Sequence, residues 1–135
     1  MFNRTDTTFI STFDESVIDQ GCDVNGKFAI VTHGWFESIN TPWTVDLISN
    51  LLYFRGGCVI FMDYFQFSNV QKYFKLLRKF SKISAVLLRK LRQLGDSGVN
   101  DDDLFMYGFS FGARLVIDAG VNYGINRIKQ IDGNI

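Results

Sequence analysis

Short apolar runs that alternate with segments of helical spacing constrain the fold of this chain more than any other feature. Four runs are predicted strands: Phe28–Thr32, Cys58–Met62, Leu104–Tyr107 and Ile128–Ile131. The first three are continuous rather than alternating in hydrophobicity, which is typical of strands buried on both faces of a sheet. Strands of this kind belong to parallel sheets that helices cover on both sides, so the sequence predicts an α/β fold.

The segments between these runs supply the helices that parallel strands need as crossovers. Residues 43–54, 70–94 and 113–122 have helical spacing, and the 70–94 segment has the strongest periodicity, with steps of four and three. Its apolar-face positions are Tyr73, Leu77, Phe80, Ser84, Leu87, Leu91 and Leu94, and those of residues 43–54 are Trp43, Leu47, Leu51 and Phe54. The order predicts a mostly parallel sheet with helices on both faces.

The 70–94 segment also concentrates positive charge, because it holds 8 of the 14 basic residues and no acidic residue. The basic residues are Lys72, Lys75, Arg78, Lys79, Lys82, Arg89, Lys90 and Arg92. Such a run is typical of the solvated face of a core-packed helix. Contact with an anionic surface is the alternative that the sequence leaves open.

Composition excludes several classes of protein. Fourteen basic and fourteen acidic residues give a formal net charge of zero, which argues against a nucleic-acid partner. Two cysteines, Cys22 and Cys58, are too few for a four-cysteine zinc site and are compatible with a disulfide or with two buried thiols. No run approaches the roughly 18 apolar residues of a membrane-spanning helix, and no signal peptide is apparent, so the sequence alone predicts a soluble, unexported chain.

Residues suited to chemistry follow the predicted strands at their carboxyl ends. They are His33, Gly34, Trp35, Asp63, Ser110 and Asp132. Because the carboxyl ends of parallel strands meet at one edge, that edge is where an open α/β sheet carries its site. We therefore expect the functional residues to gather there.

Gly108-Phe109-Ser110-Phe111-Gly112 matches the pattern Gly-x-Ser-x-Gly between a strand and a helix. In that context a sharp turn holds the serine in strained backbone geometry, and the flanking glycines remove steric clashes. The hydroxyl then projects above the sheet edge, at the positive end of the helix. The motif predicts Ser110 as a nucleophile, and an ordinary serine in a glycine-lined turn is the alternative.

An acyl-transfer site also needs donors for the oxyanion and an acid that orients the base. The backbone N–H groups of Trp35, after the first strand, and of Phe111, after the serine, are the predicted donors. His33 suits the organisation of its own loop better than the role of a base. Asp132 is equally compatible with the acid and with a strand-terminating turn.

The other acidic residues have structural interpretations. Asp63 is predicted to bond to loop amides, and Asp101–Asp103 are predicted to form a solvated turn rather than a cation site. No Gly-x-Gly-x-x-Gly or Walker-type loop follows any strand, which disfavours a nucleotide-binding domain. The sequence predicts neither a metal nor another cofactor.

Taken together, these motifs resemble those of the animal pancreatic-lipase family of α/β hydrolases, and within it the insect-type secreted lipases and phospholipases A1. The resemblance runs from about Cys22 onward, with the motifs in the family's order. The matching segments are Phe28–Trp35, Trp43, Cys58–Tyr64, Gly108–Ala113 and Asn126–Asp132. The resemblance implies the α/β-hydrolase fold and hydrolysis of lipid esters at an interface, outside cells and without a catalytic metal.

The resemblance also implies residue roles. Ser110 matches the nucleophile and Asp132 the acid of the triad, while Trp35 and Phe111 match the oxyanion donors. The residues that support these motifs are His33, Gly34, Gly108 and Gly112.

The chain departs from the family at the histidine of the triad, which follows the acid in the chain order Ser, Asp, His. The one histidine of this sequence, His33, precedes the serine and matches a histidine of the oxyanion loop. We therefore expect residues 1–135 to be the N-terminal half of a single hydrolase domain, truncated after the acid and with little or no turnover. A non-catalytic storage or binding protein of the same family, or a truncated inactive product, is the alternative.

Overall fold

A five-stranded sheet with helices on both faces forms the framework of the computed structural model, which describes residues 2–3, 21–35, 41–64, 73–124 and 126–134. The strands are β1 (Phe2–Asn3), β2 (Phe28–Thr32), β3 (Cys58–Met62), β4 (Leu104–Phe109) and β5 (Gln130–Asn134). The helices are α1 (Pro42–Phe54), α2 (Tyr73–Leu77), α3 (Phe80–Asp96) and α4 (Phe111–Tyr123), and a 3₁₀ turn covers Asp101–Asp103. Within these ranges, no helix combines the length and the apolar character needed to cross a membrane. The predicted α/β class is confirmed.

The strands lie in the order β1-β3-β2-β4-β5. The four longer strands are parallel, and β1 pairs antiparallel with β3. Ile30 of the central strand pairs with Ile60 on one side and with Met106 on the other. The sheet is therefore mostly parallel, as predicted, but β1 was not predicted, because two residues carry no periodic signal of their own.

Alternate residues of β2 pack into different cores on the two faces of the sheet. Phe28 and Ile30 belong to the core that α3 and α4 cover, whereas Ala29 and Val31 belong to the core under α1. All four side chains are at most 1% exposed. This two-sided burial is what a continuous apolar strand predicts.

The long basic segment forms two helices rather than the single helix that its spacing predicts. The chain turns at Arg78 and Lys79 between α2 and α3, and residues 70–72 lie outside the described residues. Leu76 is fully buried while Leu77 is 41% exposed, so the apolar face shifts by one position at the turn. From Phe80 onward the predicted face is confirmed, and its buried members are Ser84, Leu87, Leu91 and Leu94.

A predicted core position and the bounds of the last strand also differ from the predictions. In α1 the predicted core residue Phe54 is 81% exposed, because the buried face of that helix runs through Thr44 and Ile48. The last strand spans Gln130–Asn134 instead of Ile128–Ile131, and Ile128 is buried ahead of it. Asp132 therefore lies within β5 and not at its end.

A disulfide joins Cys22 to Cys58, whose Cα atoms are 6.1 Å apart. The sequence left open the choice between this bond and two buried thiols. The bond ties the turn ahead of β2 to the first residue of β3.

Candidate active site

The site predicted from the sequence lies where the path of the chain reverses across the sheet. From β2 the chain passes through α1 to β3, and then returns through α2 and α3 to β4 on the other side of β2. Ligands of open parallel sheets bind at such a switch point, outside the carboxyl ends of the strands. Here the switch point lies beyond the paired residues Thr32 of β2 and Gly108 of β4.

Ser110 occupies a sharp turn between β4 and α4. Its backbone angles are φ 56° and ψ −115°, and it stands at the N-cap position of α4. Positive φ is uncommon for a residue other than glycine and costs about 1–3 kcal/mol unless the surroundings impose it. The turn thus has the strained geometry that the motif predicts, and its serine is partly accessible to solvent.

The flanking glycines of the motif are required by close backbone packing. A Cβ atom at Gly108, in β4, would collide with the carbonyl oxygen of Gly112, in the first turn of α4. A Cβ atom at Gly112 would lie 2.5 Å from both the carbonyl oxygen of His33 and Oγ1 of Thr32. The Thr32 hydroxyl donates a hydrogen bond to the Gly112 carbonyl at 3.0 Å. Through these contacts the start of α4 packs closely against the end of β2, and this packing stabilises the turn at Ser110.

The imidazole of His33 is fully buried and bonded to the backbone of its own loop and of the neighbouring one. The N–H of Tyr64 donates to Nε2 at 3.0 Å, so Nε2 accepts and the ring proton resides on Nδ1. Nδ1 then donates to the carbonyl oxygen of Gly34 at 2.8 Å. The ring stacks on Tyr64 at 3.9 Å between centroids, and the Tyr64 hydroxyl donates to the His33 carbonyl. Both ring nitrogens are thereby engaged in holding the loop after β2.

Asp63 also reaches this histidine, which the sequence did not predict. Its Oδ1 atom lies 3.2 Å from Nε2 of His33, and its side chain is 29% exposed. Because Nε2 accepts from Tyr64 in this tautomer, the contact with the carboxylate is one of proximity and not a hydrogen bond. It brings the ends of β2 and β3 together, whereas the prediction had Asp63 bonding to loop amides.

The two predicted oxyanion donors follow neighbouring strands in the same register. Trp35 comes three residues after Thr32, and Phe111 comes three residues after its pairing partner Gly108. Phe111 is the first residue of α4, where backbone N–H groups have no partner within the helix. Trp35 is 36% exposed, in the turn after β2. The pairing brings both loops to the switch point, and the role of each N–H group stays a prediction.

Asp132 lies on the strand next to β4 but short of the sheet edge. It pairs with Tyr107, three residues before Ser110, which corresponds to about 10 Å along a strand. A Cβ atom at Gly133 would lie 2.9 Å from the Cβ atom of Ala113 in α4, so the side chain of Asp132, its neighbour along the strand, faces the opposite side of the sheet. The carboxylate is exposed, and the Gln130 side-chain amide donates to it at 3.4 Å. The structure thus brings Asp132 to the neighbouring strand, and its role as the acid stays a prediction.

Three residues that sequence reasoning left out support the site. Thr32 bonds to Gly112, Tyr64 stacks on His33, and the Phe80 ring meets that of Phe111 edge to face at 5.7 Å. Each contact joins residues more than 30 positions apart, so no local pattern marks it. One feature of the sequence could have indicated Tyr64, because this residue directly follows Asp63 at the end of β3.

The acidic run Asp101–Asp103 is engaged in ion pairs and hydrogen bonds at the opposite end of β4. Asp101 accepts from the Tyr123 hydroxyl at 3.1 Å and pairs with Arg127 at 2.9 Å. Asp102 pairs with Lys129 at 3.0 Å. Burial raises the pKa of Tyr123 above its ordinary value, and the hydrogen bond to Asp101 raises it further. Within the described part of the chain, no group of three or more His, Cys, Asp or Glu side chains could hold a metal ion.

Fold and site together define an α/β protein with a serine on a strand–turn–helix junction at the switch point of its sheet. No protein-family model matches the chain. Curated proteins named as lipases do show similarity to it, and this similarity supports a relationship to the lipase family.

Lipase member H-B of Xenopus laevis is 26% identical over 122 residues, which is 88% of this chain. Lipase member H of Oryctolagus cuniculus is 26% identical over 113 residues, and that of Xenopus tropicalis is 25% identical over 122. The matched regions are 26%, 25% and 26% of the length of these three relatives, so the chain spans about a quarter of each.

Proposed function

We propose that this chain is part of an α/β hydrolase that cleaves carboxylic esters of lipids with a serine nucleophile. The observation that carries the proposal is the backbone of Ser110, at φ 56° and ψ −115° between β4 and α4. A serine in this setting, at the carboxyl edge of a parallel sheet, has the geometry of a nucleophile elbow. The similarity to proteins named as lipases supports lipid esters as the substrate class.

The proposed mechanism assigns one task to each group. The Ser110 hydroxyl attacks the ester carbonyl while a histidine takes its proton and later returns it to the leaving alcohol. Asp132 orients that histidine, and the N–H groups of Trp35 and Phe111 bind the oxyanion. Water then hydrolyses the acyl-enzyme, which restores the serine.

The histidine of this mechanism is a residue outside these 135 positions. His33 is the one histidine of the sequence, and its buried ring has both nitrogens in hydrogen bonds to the backbone. A serine hydroxyl without a base is a weak nucleophile at neutral pH. We therefore assign residues 1–135 to the N-terminal half of one hydrolase domain and expect little or no ester turnover from them alone.

Two finer assignments complete the proposal. The motif resemblance supports an insect-type lipase or phospholipase A1 acting at a lipid interface. The Cys22–Cys58 disulfide supports an extracellular location, because disulfides persist in oxidising compartments.

A non-catalytic, lipid-binding relative of the lipases is the second candidate. The observation that favours it is the exposed position of Asp132 within β5, level with Tyr107. An acid that orients a catalytic imidazole is ordinarily buried and bonded to it.

Fluorophosphonate labelling of the chain, with imidazole added as a soluble base, distinguishes these candidates. We expect peptide mass spectrometry to find the label on Ser110, at a rate that imidazole raises several-fold. Ser110→Ala should remove this label, while Ser81→Ala, at an exposed serine of α3, should keep it.

The outcomes separate the candidates as follows. Absence of label on Ser110 at every imidazole concentration would overturn the nucleophile assignment and favour the binding protein. Efficient hydrolysis of a p-nitrophenyl ester without imidazole, abolished by Ser110→Ala, would overturn the assignment of the base to a residue outside the chain.

A further inference from the structure

We propose that α2 and the first turn of α3 form a docking surface for an anionic phospholipid bilayer. The surface, named here the docking edge, consists of exposed cationic and apolar side chains. Its members are Phe74, Lys75, Leu77, Arg78, Lys79 and Lys82.

Charge is the first argument for the docking edge. All four of its cationic side chains are exposed, and no acidic residue occurs between Tyr73 and Gly95. The chain as a whole is neutral, so this density of positive charge is a local feature. Clusters of Lys and Arg on a helical surface are attracted to the negative potential of anionic lipid headgroups.

Exposed apolar side chains among these cations are the second argument. Phe74 is 46% exposed and Leu77 is 41% exposed, while Leu76 between them is fully buried and anchors α2 to the core. The guanidinium carbon of Arg78 lies 5.3 Å from the centroid of the Phe74 ring, so charge and apolar surface are adjacent. Large apolar side chains flanked by Lys and Arg are typical of helices that lie in a membrane interface.

The position of the docking edge relative to the candidate nucleophile also supports the proposal. The Phe80 ring contacts the ring of Phe111, the residue directly after Ser110, at 5.7 Å between centroids. The docking edge therefore lies at the same edge of the sheet as the candidate nucleophile. A bilayer bound there would bring ester bonds to the mouth of the site, and this purpose, unlike the binding itself, rests on the proposed function.

These three features fit a bilayer better than a folded partner. Lysine and arginine carry their charges on long flexible stems, which suits a diffuse negative surface. Two apolar side chains on a short helix suit shallow insertion among headgroups, whereas a stable protein interface needs a larger apolar centre.

Vesicle flotation of the chain tests the proposal without recourse to hydrolysis. The Ser110→Ala chain is mixed with vesicles of phosphatidylcholine alone or with roughly 30 mol% phosphatidylserine. We expect at least tenfold stronger binding to the anionic vesicles. Binding should fall steeply as NaCl rises from about 0.1 M to about 1 M, because salt screens the exposed charges.

Matched variants then locate the surface. Lys75→Glu/Lys79→Glu should weaken binding to anionic vesicles at least tenfold, and Phe74→Ser/Leu77→Ser should weaken it at high salt as well. The control Lys27→Glu/Arg92→Glu changes the net charge equally at exposed positions away from the docking edge and should retain most of the binding. Circular dichroism and the unfolding midpoint identify any variant that fails to fold, and only folded variants are compared.

Equal binding to both kinds of vesicle would overturn the proposal, as would equal losses in the test and control variants. Self-association that Lys75→Glu/Lys79→Glu abolishes, without vesicle binding, would assign the surface to a second copy of the chain and also overturn it. Vesicle binding that holds while Ser110 proves unreactive would leave the docking surface standing and the proposed hydrolase refuted.

Discussion

Ser110 carries a side chain in a backbone conformation that favours glycine. At φ 56° and ψ −115° a glycine would sit without strain, yet the position carries a β-carbon and a hydroxyl. Strain of this kind persists where the surroundings enforce it, and at Ser110 the packing of Gly112 against Thr32 and His33 does so. The presence of a serine at this strained position is the main residue-level indication of chemistry.

Substitution of Ser110 should reveal the strain. We expect Ser110→Gly to be more stable than Ser110→Ala by about 1 kcal/mol, because relief of the strain outweighs the extra freedom that glycine gives the unfolded chain. Urea unfolding of the two variants measures the difference. Equal stability, or a more stable alanine variant, would show that the turn is not strained.

Ser81 provides a control in which the expected stability difference between the glycine and alanine variants has the opposite sign. It lies exposed in α3, where glycine is unfavourable by about 1 kcal/mol relative to alanine. Ser81→Gly should therefore be the less stable member of its pair. The two pairs together separate backbone strain from any general effect of glycine.

At the scale of elements, the Asp101 network ties the 3₁₀ turn to the end of α4. Asp101 accepts from Tyr123, the last residue of the helix, and pairs with Arg127 in the segment that leads to β5. The Arg127 guanidinium also donates to the Tyr123 hydroxyl at 2.9 Å. The network fixes the angle at which the chain leaves α4 and enters β5.

Alkaline pH should loosen this junction. The pKa of Tyr123 is raised above its ordinary value of 10.0, mainly by burial and then by the hydrogen bond to Asp101. A pKa that is higher in the folded than in the unfolded state contributes stability below pH 10, and this contribution is lost as the pH rises through the folded value. Wild type should thus lose more stability than Tyr123→Phe between about pH 9 and pH 12.

Urea unfolding across that pH range checks the prediction, with Tyr53→Phe as the control. Tyr53 is 69% exposed on α1, so its removal should leave the pH dependence close to that of wild type. Parallel pH profiles for wild type and Tyr123→Phe would contradict the role given to Tyr123.

The elements that the sequence predicted best are those whose signal is local. β2 and β3 have their predicted bounds, because a continuous apolar run between turn residues specifies a buried strand. The turn at Ser110 was predictable for the same reason. The break between α2 and α3 was not, since leucines at both Leu76 and Leu77 let either one serve as the buried position.

The remaining differences have tertiary causes. β5 begins at Gln130 because it pairs from Phe105 onward with β4, and Ile131 packs against Gly120 of α4. β1 exists as a strand only through its pairing with β3. Neither pairing leaves a trace in the spacing of the sequence, so the position of Asp132 relative to the sheet edge could not be predicted.

At the scale of the whole molecule, one covalent bond closes the first βαβ unit. The Cys22–Cys58 disulfide spans 36 residues and encloses β2 and α1. Loop-closure entropy predicts about 3–4 kcal/mol of stabilisation from a bond of this span. Reduction should lower the free energy of unfolding by that amount.

Urea unfolding with and without a reductant measures this contribution. Cys22→Ala/Cys58→Ala should match the reduced wild type within about 1 kcal/mol and should not respond to the reductant. A wild type that reductant leaves unchanged would show that the bond does not form in solution or contributes nothing to stability.

The contact between Thr32 and Gly112 has a consequence for how such a chain can change over generations. The two residues are 80 positions apart, yet the threonine hydroxyl and the backbone carbonyl of His33 both lie in the space that any side chain at position 112 would need. A smaller residue at 32 would remove only the hydroxyl, because the His33 carbonyl is present whatever side chains are inherited. In a library randomised at both positions and selected for folding, accepted variants should therefore keep glycine at 112 whatever residue stands at 32, so this position of the serine turn is held constant from a distant part of the gene.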